Sequence, residues 1–284
     1  MIKIGMCFPQ KDFIRLSEEK FIDYLTILKE NGLTSFDMYP SFLLTYKPTN
    51  CLLKILKELN LKLNFHYDME LYNGDLKNSI KKCQNEISSL RKILDNNDHQ
   101  YQINLVFHVP DYQENKYRHL KQMILFFKKI SDYAQNIRTN ILIEILSHNH
   151  PQGGKIGDDL SEIVLFLNHI DNCNFGICWD LVHTRLNQIE ERDIPVISEV
   201  IKRTMYTHIS GFYSKNNDNY DHIPLTNLKL QDDELDILIE NNYQGVYNLE
   251  FEVENLKENI SVYTDNINKL KKYIEERKNE KSNN

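Results

Sequence analysis

The stretch "GICWDLVHT" (176–184), preceded by Asn174-Phe175, runs apolar through Trp179 and then places Asp180 and His183 three positions apart. The apolar part can fill a core. An aspartate at its end is costly there, because a carboxylate is rarely buried without a counter-charge or a metal. The other apolar runs of the chain decide whether this ending is an accident or a rule of the fold.

Eight runs of strand length recur: "IKIGMCF" (2–8), "TSFDMY" (34–39), "LKLNFHY" (61–67), "YQINLVFHV" (101–109), "NILIEIL" (140–146), "NFGICWD" (174–180), "TMYTHIS" (204–210) and "GVYNLEFE" (245–252). Most of the intervals carry apolar residues at three- and four-residue spacing, as in Phe21, Leu25, Leu28 and Ile80, Ile87, Leu90, then Leu120, Ile124, Phe127, Ile130 and Ile163, Phe166, Leu167, Ile170. That spacing reads as amphipathic helix. Strand and helix alternating eight times without a Pro/Gly-rich linker predict an α/β fold, a single (β/α)8 TIM barrel over residues 1–274, with an open doubly wound sheet as the rival. The polar end, "EERKNEKSNN" (275–284), predicts fraying. The longest irregular piece, residues 211–230, follows the seventh strand, so a barrel places it over the active face.

Composition narrows the class. A chain of 284 residues with 41% hydrophobic and 26% charged side chains is ordinary for a globular protein. Its 34 basic against 41 acidic side chains give a net charge of −7, which offers nucleic acid no overall basic footprint. Cys7, Cys51, Cys83, Cys173 and Cys178 form no C-x-x-C pair and lie in or near apolar segments, as buried free thiols do; a reducing, cytoplasmic compartment is expected. No signal-peptide pattern and no long apolar stretch point to secretion or a membrane span.

The polar residues inside the apolar runs sit late in successive strands: His66, His108, Glu144, Asp180, His208 and Glu250. Parallel barrel strands end on one face, so these six are expected to converge there. "NILIEILSHNH" holds no basic partner for Glu144, which points that residue toward metal or chemistry. Glu250 and Glu252 share a parity, and Glu250 lies deeper in its run. Mixed carboxylate and imidazole donors suit Zn, Mn, Fe or Co rather than a thiolate-bound structural zinc. His183, just past the sixth strand, and His222, in the long loop, can fold over the same face. Arg185, Lys155 and Lys229 read as solvated surface charges.

With these residues in place the chain resembles the xylose isomerase-like TIM-barrel superfamily, which holds sugar isomerases and epimerases together with endonuclease IV-like abasic-site nucleases. The resemblance implies a divalent metal on Glu144, Asp180, His208 and Glu250. "PQGGKIGDDLSEI" (151–163) followed by "FGICWDLVH" is similar to endonuclease IV, whose three-zinc cluster implies further ligands at His66, His108, His183 and His222. Eight of its nine ligand positions are occupied; the ninth, an aspartate, is Tyr220, with Asp221 adjacent. "HIPLTNLKLQDDELDILIENNYQGVYNLEFE" (222–252) resembles the isomerase ending, with Thr226-Asn227-Leu228 in place of its Gly-x-Gly.

The expected activity is therefore a metal-dependent isomerase or epimerase of a small sugar, polyol or related hydroxy-carbonyl compound, using one Zn, Mn or Co, with Glu144 and Glu250 exchanging a proton. The alternative is an apurinic/apyrimidinic phosphodiesterase acting on abasic DNA with up to three zinc ions. Net charge and the missing aspartate favour the first.

Overall fold

The computed structural model describes residues 2–46, 49–67, 75–112, 115–147, 156–189, 198–215, 218–225, 232–251, 253 and 255–283. Along the chain they form β1 (Lys3–Cys7), α1 (Gln10–Arg15), α2 (Glu18–Glu30), β2 (Leu33–Met38), α3 (Pro40–Thr45), α4 (Thr49–Glu58), β3 (Lys62–Tyr67), α5 (Leu76–Asn96) and β4 (Ile103–Phe107). Then come α6 (Lys116–Ala134), β5 (Thr139–Glu144), α7 (Leu160–His169), β6 (Phe175–Asp180), α8 (Leu181–Ile189), α9 (Ser198–Arg203) and β7 (Thr204–Ile209). The chain closes with β8 (Gly211–Lys215), β9 (Asp218–Ile223), α10 (Asp232–Glu240), β10 (Val246–Leu249) and α11 (Leu256–Asn283).

Eight parallel strands close into a barrel in the order β1-β10-β7-β6-β5-β4-β3-β2. These are the eight apolar runs, and the barrel is the fold that their alternation with helices predicts. The helices form because each presents an apolar stripe to the sheet: Phe21, Leu25 and Leu28 on α2, and Cys83, Ile87, Leu90 and Leu94 on α5 are fully buried. Side-chain caps start several of them. Asp75 accepts from Asn78 N–H on α5, Asn115 from Arg118 N–H on α6 and Asp159 from Ser161 N–H on α7.

Strand alternation divides the core in two. In β6, Phe175, Ile177 and Trp179 join the large apolar layer under the helices, while Cys178 joins Val106, Leu142 and Tyr206 inside the barrel. The strand is buried on both faces, which is why its sequence is continuously apolar. Trp179 also satisfies its indole N–H, donating to Thr184 Oγ1 at 2.8 Å. At the N-terminal end of the strands an asparagine ladder closes the floor: Asn104 Nδ2 donates to Asn64 and Asn140 Nδ2 to Asn104, at 3.0 and 2.8 Å.

Several expectations change. Residues 211–223 are an antiparallel hairpin, β8 with β9, rather than irregular loop, since Phe212, Tyr213 and Tyr220 favour paired strands; residues 226–230 lie outside the described residues. Arg185 is no solvated surface charge: its guanidinium bridges Asp233 and Glu234 at 3.3 and 3.4 Å, tying α8 to α10, while Lys155 and Lys229 lie outside the described residues. Cys173 is exposed, whereas Cys83 and Cys178 are buried; all five cysteines are free. Helix α11 runs through residues 275–283, the stretch whose composition predicts fraying. Among the described residues no helix is long and apolar enough to cross a membrane.

Gly176 marks the tightest point of the opening stretch. A Cβ there would lie 2.6 Å from the backbone oxygen of Arg203 and 3.0 Å from Met205. Gly176→Ala is expected to cost about 1–3 kcal/mol through overpacking. Urea unfolding checks this, and an unchanged midpoint would contradict the close approach.

Candidate metal centre

The barrel mouth collects the polar strand ends. Glu144 and Asp180 are the last residues of β5 and β6, and His208 lies one residue before the end of β7. Glu250 follows β10, its N–H donating to Ile209 O at 2.8 Å and so extending the ladder by one residue. Asp180 also caps α8: its Oδ1 accepts the His183 N–H at 2.8 Å. One carboxylate thereby anchors the helix start and sets His183 beside the site.

The donor atoms converge. His208 Nδ1 lies 3.3 Å from Glu144 Oε1 and 3.1 Å from Glu250 Oε2. One donor atom each from Glu144, Asp180, His208 and Glu250 falls within 4.8 Å of all the others. His66 Nε2, His108 Nε2 and Glu144 Oε2 make a second set, with separations of 3.0, 3.1 and 3.3 Å. A third set joins Asp180, His183 and His222. Two donors on a tetrahedral ion with bonds of about 2.0–2.1 Å sit about 3.3 Å apart, so these spacings are those of ligands to a shared ion.

A buried polar atom without a hydrogen bond is costly. Glu144 Oε1, His208 Nδ1 and Glu250 Oε2 are buried and have no hydrogen-bond partner among the described residues. These are the atoms that face one another across the first donor set, and a divalent cation between them satisfies all three. The donor set therefore fits a metal: buried carboxylates and imidazole can hold one, and no thiolate is needed.

The charges agree with that fit. Burial pushes the Asp180 carboxyl well above the ordinary range, with Glu250 and Glu144 adding to the effect. Burial alone would raise Glu144 and Glu250 too, but His208 holds both well below the usual value, helped by His108 for Glu144 and His222 for Glu250. Burial opposes charge on His208; the sulfur of Cys178, Glu250, Glu144 and the hydrogen bond to Asp37 outweigh it and raise the imidazole well above its ordinary value. His66 and His183 shift the other way, lowered by burial, and so stay neutral as ligands must be.

All eight residues expected at the site meet there. His183 turns its Nδ1 to Ile145 O at 3.1 Å, and His222, at φ 52, enters from β9 with Nε2 3.5 Å from Glu250 Oε2. Glu252 and the side chains of Tyr220 and Asp221 lie outside the described residues. The sequence reading misses Asp37, whose Oδ2 accepts from His208 Nε2 at 3.1 Å. The signal was present: "TSFDMY" is one more apolar run holding a single carboxylate. A cavity of about 670 Å³ opens above the donors, walled by Phe8, Tyr39 and Phe251, with Gln10 and Lys11 from α1 at its edge.

The family model for the xylose isomerase-like TIM barrel matches residues 25–273. The chain belongs to this family. Among solved xylose isomerase-like structures it is similar to a xylose isomerase domain protein from Alicyclobacillus acidocaldarius, at 15% identity and a TM-score of 0.70, covering 98% of this chain and 100% of that one. D-psicose 3-epimerase from Clostridium cellulolyticum H10 matches at 13% and 0.66, covering 97% and 98%. The 3-keto-D-glucoside 4-epimerase of E. coli matches at 15% and 0.66, covering 96% and 99%. No curated protein sequence matches the chain.

If the donors hold an ion, a divalent metal at one hundred times its Kd adds about 2.7 kcal/mol of stability. Thermal melts with zinc or manganese should rise and with chelator fall, and Asp180→Asn should lose the shift. Because His208 and Asp180 are held protonated without the ion, binding should release roughly one to two protons, and affinity should climb with pH across the neutral range. Calorimetric titrations in buffers of different ionisation enthalpy measure that release; none would contradict the charge assignment.

Proposed function

We propose that the chain is a divalent-metal-dependent isomerase or epimerase of a small sugar, polyol or related hydroxy-carbonyl compound. One observation carries this reading. Glu144 and Glu250 come from β5 and β10, which β6 and β7 separate around the barrel, yet both carboxylates approach the same His208 nitrogen and both line the cavity. Two carboxylates across one small site are what taking a proton off one face of a carbon and returning one to its opposite face, or to the neighbouring carbon, requires. The likeness to D-psicose 3-epimerase and 3-keto-D-glucoside 4-epimerase over nearly their whole lengths supports the same class of substrate.

Glu144, Asp180, His208 and Glu250 would hold the ion, with Zn, Mn or Co suited to the mixed oxygen and nitrogen donors. When bound, it supplies the positive charge that polarises the substrate's adjacent oxygens and makes the C–H between them more acidic. Glu144 and Glu250 are the proton carriers. Beside a bound cation both would stay ionised, so either is ready to accept a proton from carbon, and the other side returns it. The aromatic wall of Phe8, Tyr39 and Phe251 excludes water and offers the apolar face of a sugar a surface to lie on.

A second reading rests on the triangle of His66, His108 and Glu144, which would hold another divalent ion. With the Asp180, His183 and His222 set, it would supply the ligands that the resemblance to endonuclease IV implies for a phosphodiesterase with a zinc cluster acting on abasic DNA. The net charge of −7 and Tyr220 at the ninth ligand position weigh against it.

In deuterated water with a panel of ketoses and keto-glycosides, the first reading expects deuterium at the carbon next to the carbonyl. Glu144→Gln and Glu250→Gln should each lower kcat by roughly 10²- to 10⁴-fold. Absence of exchange on every sugar, combined with three zinc ions per chain and metal-dependent nicking of an abasic duplex that Glu144→Ala abolishes, replaces the first reading with the second.

A further inference from the structure

His208 has two ring nitrogens with opposite surroundings. Nδ1 faces Glu144 Oε1 and Glu250 Oε2 and has no hydrogen-bond partner among the described residues. Nε2 meets Asp37 Oδ2 at 3.1 Å, across 171 residues of sequence. A carboxylate only accepts, so Nε2 must carry the proton in this contact. A neutral imidazole protonated on Nε2 has its lone pair on Nδ1, the nitrogen aimed at the other donors.

We propose that Asp37 is a positioning residue: its carboxylate holds His208 in the Nε2–H form and in one ring orientation, so that Nδ1 serves as the ligand atom. The inference rests on the metal reading of the Glu144, Asp180, His208 and Glu250 set. Asp37 is built for rigidity. It pairs with Cys7 in the β1–β2 register, its backbone oxygen accepts from Phe8 N–H at 2.7 Å, and its side chain is 3% exposed against 0% for His208. Burial removes the competition from water that would otherwise let the imidazole rotate or exchange tautomers. Asp37 also adds negative charge behind the ring, which raises the basicity of Nδ1 toward a cation. Its other oxygen, Oδ1, is buried without a hydrogen bond among the described residues, so folding alone gains little from this carboxylate. A residue kept only for packing would be better served by an apolar side chain of the same size.

The test compares the wild-type chain with Asp37→Asn, which keeps the shape, loses the charge and can donate an amide N–H to Nε2. Zinc affinity is measured by competition with a chromogenic chelator, stability by thermal melting of the ion-free proteins, and the His208 protonation site by nitrogen-15 NMR of the zinc-loaded wild type. The expected results are a roughly 10- to 100-fold loss of zinc affinity in the variant, an ion-free midpoint that does not fall, and a His208 ring bearing its proton on Nε2. Equal zinc affinity in the two proteins overturns the proposal while leaving the metal reading intact. So does a lowered ion-free midpoint with unchanged affinity, the mark of a structural role. A wild-type spectrum with the His208 proton on Nδ1 also overturns it, whether or not the variant folds. A wild-type chain with no zinc affinity overturns the metal reading and this inference with it.

Discussion

Closure of eight parallel strands makes every second side chain of each strand face one axis, and everything at the mouth of this protein follows from that constraint. Asp37, His66, Glu144, Asp180 and His208 stand on five different strands, with His108 and Glu250 one residue past the ends of two more. No two of the seven are sequence neighbours. A one-residue slip of β6 would exchange Asp180 for Trp179 at the axis and drive a carboxylate into the apolar layer under the helices. Register is thus held from both sides, by the apolar layer outside and the polar mouth within.

The second consequence is electrostatic. Glu144, Asp180 and Glu250 crowd together with one strongly charged imidazole between them, and burial forbids water from absorbing the repulsion. Burial and the neighbouring glutamates push Asp180 up, the surroundings of His208 outweigh its burial and raise it, and among the described residues Glu144 Oε1, Glu250 Oε2 and His208 Nδ1 still have no hydrogen bond. A packed core has no reason to gather such groups. A cation between them would remove the repulsion and the unmet hydrogen-bonding capacity together.

Floor and mouth of the barrel differ in how they are held. The interior below the donors is filled by Val106, Leu142, Cys178 and Tyr206, and the asparagine ladder ties β3, β4 and β5 beneath them. The mouth is made of pieces that leave the barrel: α1 with Gln10 and Lys11, the β8–β9 hairpin carrying His222, and the first turn of α8 carrying His183. Rigid donors under a variable rim are how one barrel fold serves many substrates, and in this chain the rim sets Phe8, Tyr39 and Phe251 against the cavity.

The fold was legible in the sequence because burial on both faces makes barrel strands continuously apolar and separates them by amphipathic helices; each of the eight runs marked a strand. Six of the eight candidate donors were legible for a related reason, since a charged or imidazole side chain in such a run has nowhere to go but the strand's end; His183 and His222 lie outside the runs, in the segments that follow the sixth and seventh strands. The hairpin at 211–223 was not, because its pairing depends on the hydrogen bonds of two short polar segments rather than on an apolar period. Asp37 carries the same mark as Asp180, yet nothing local shows that a carboxylate in β2 meets a histidine 171 residues away. The sequence by itself determined which side chains are too polar for their strands. Only the tertiary structure decided which of their atoms face one another, because closure, not chain proximity, sets the distances across a barrel.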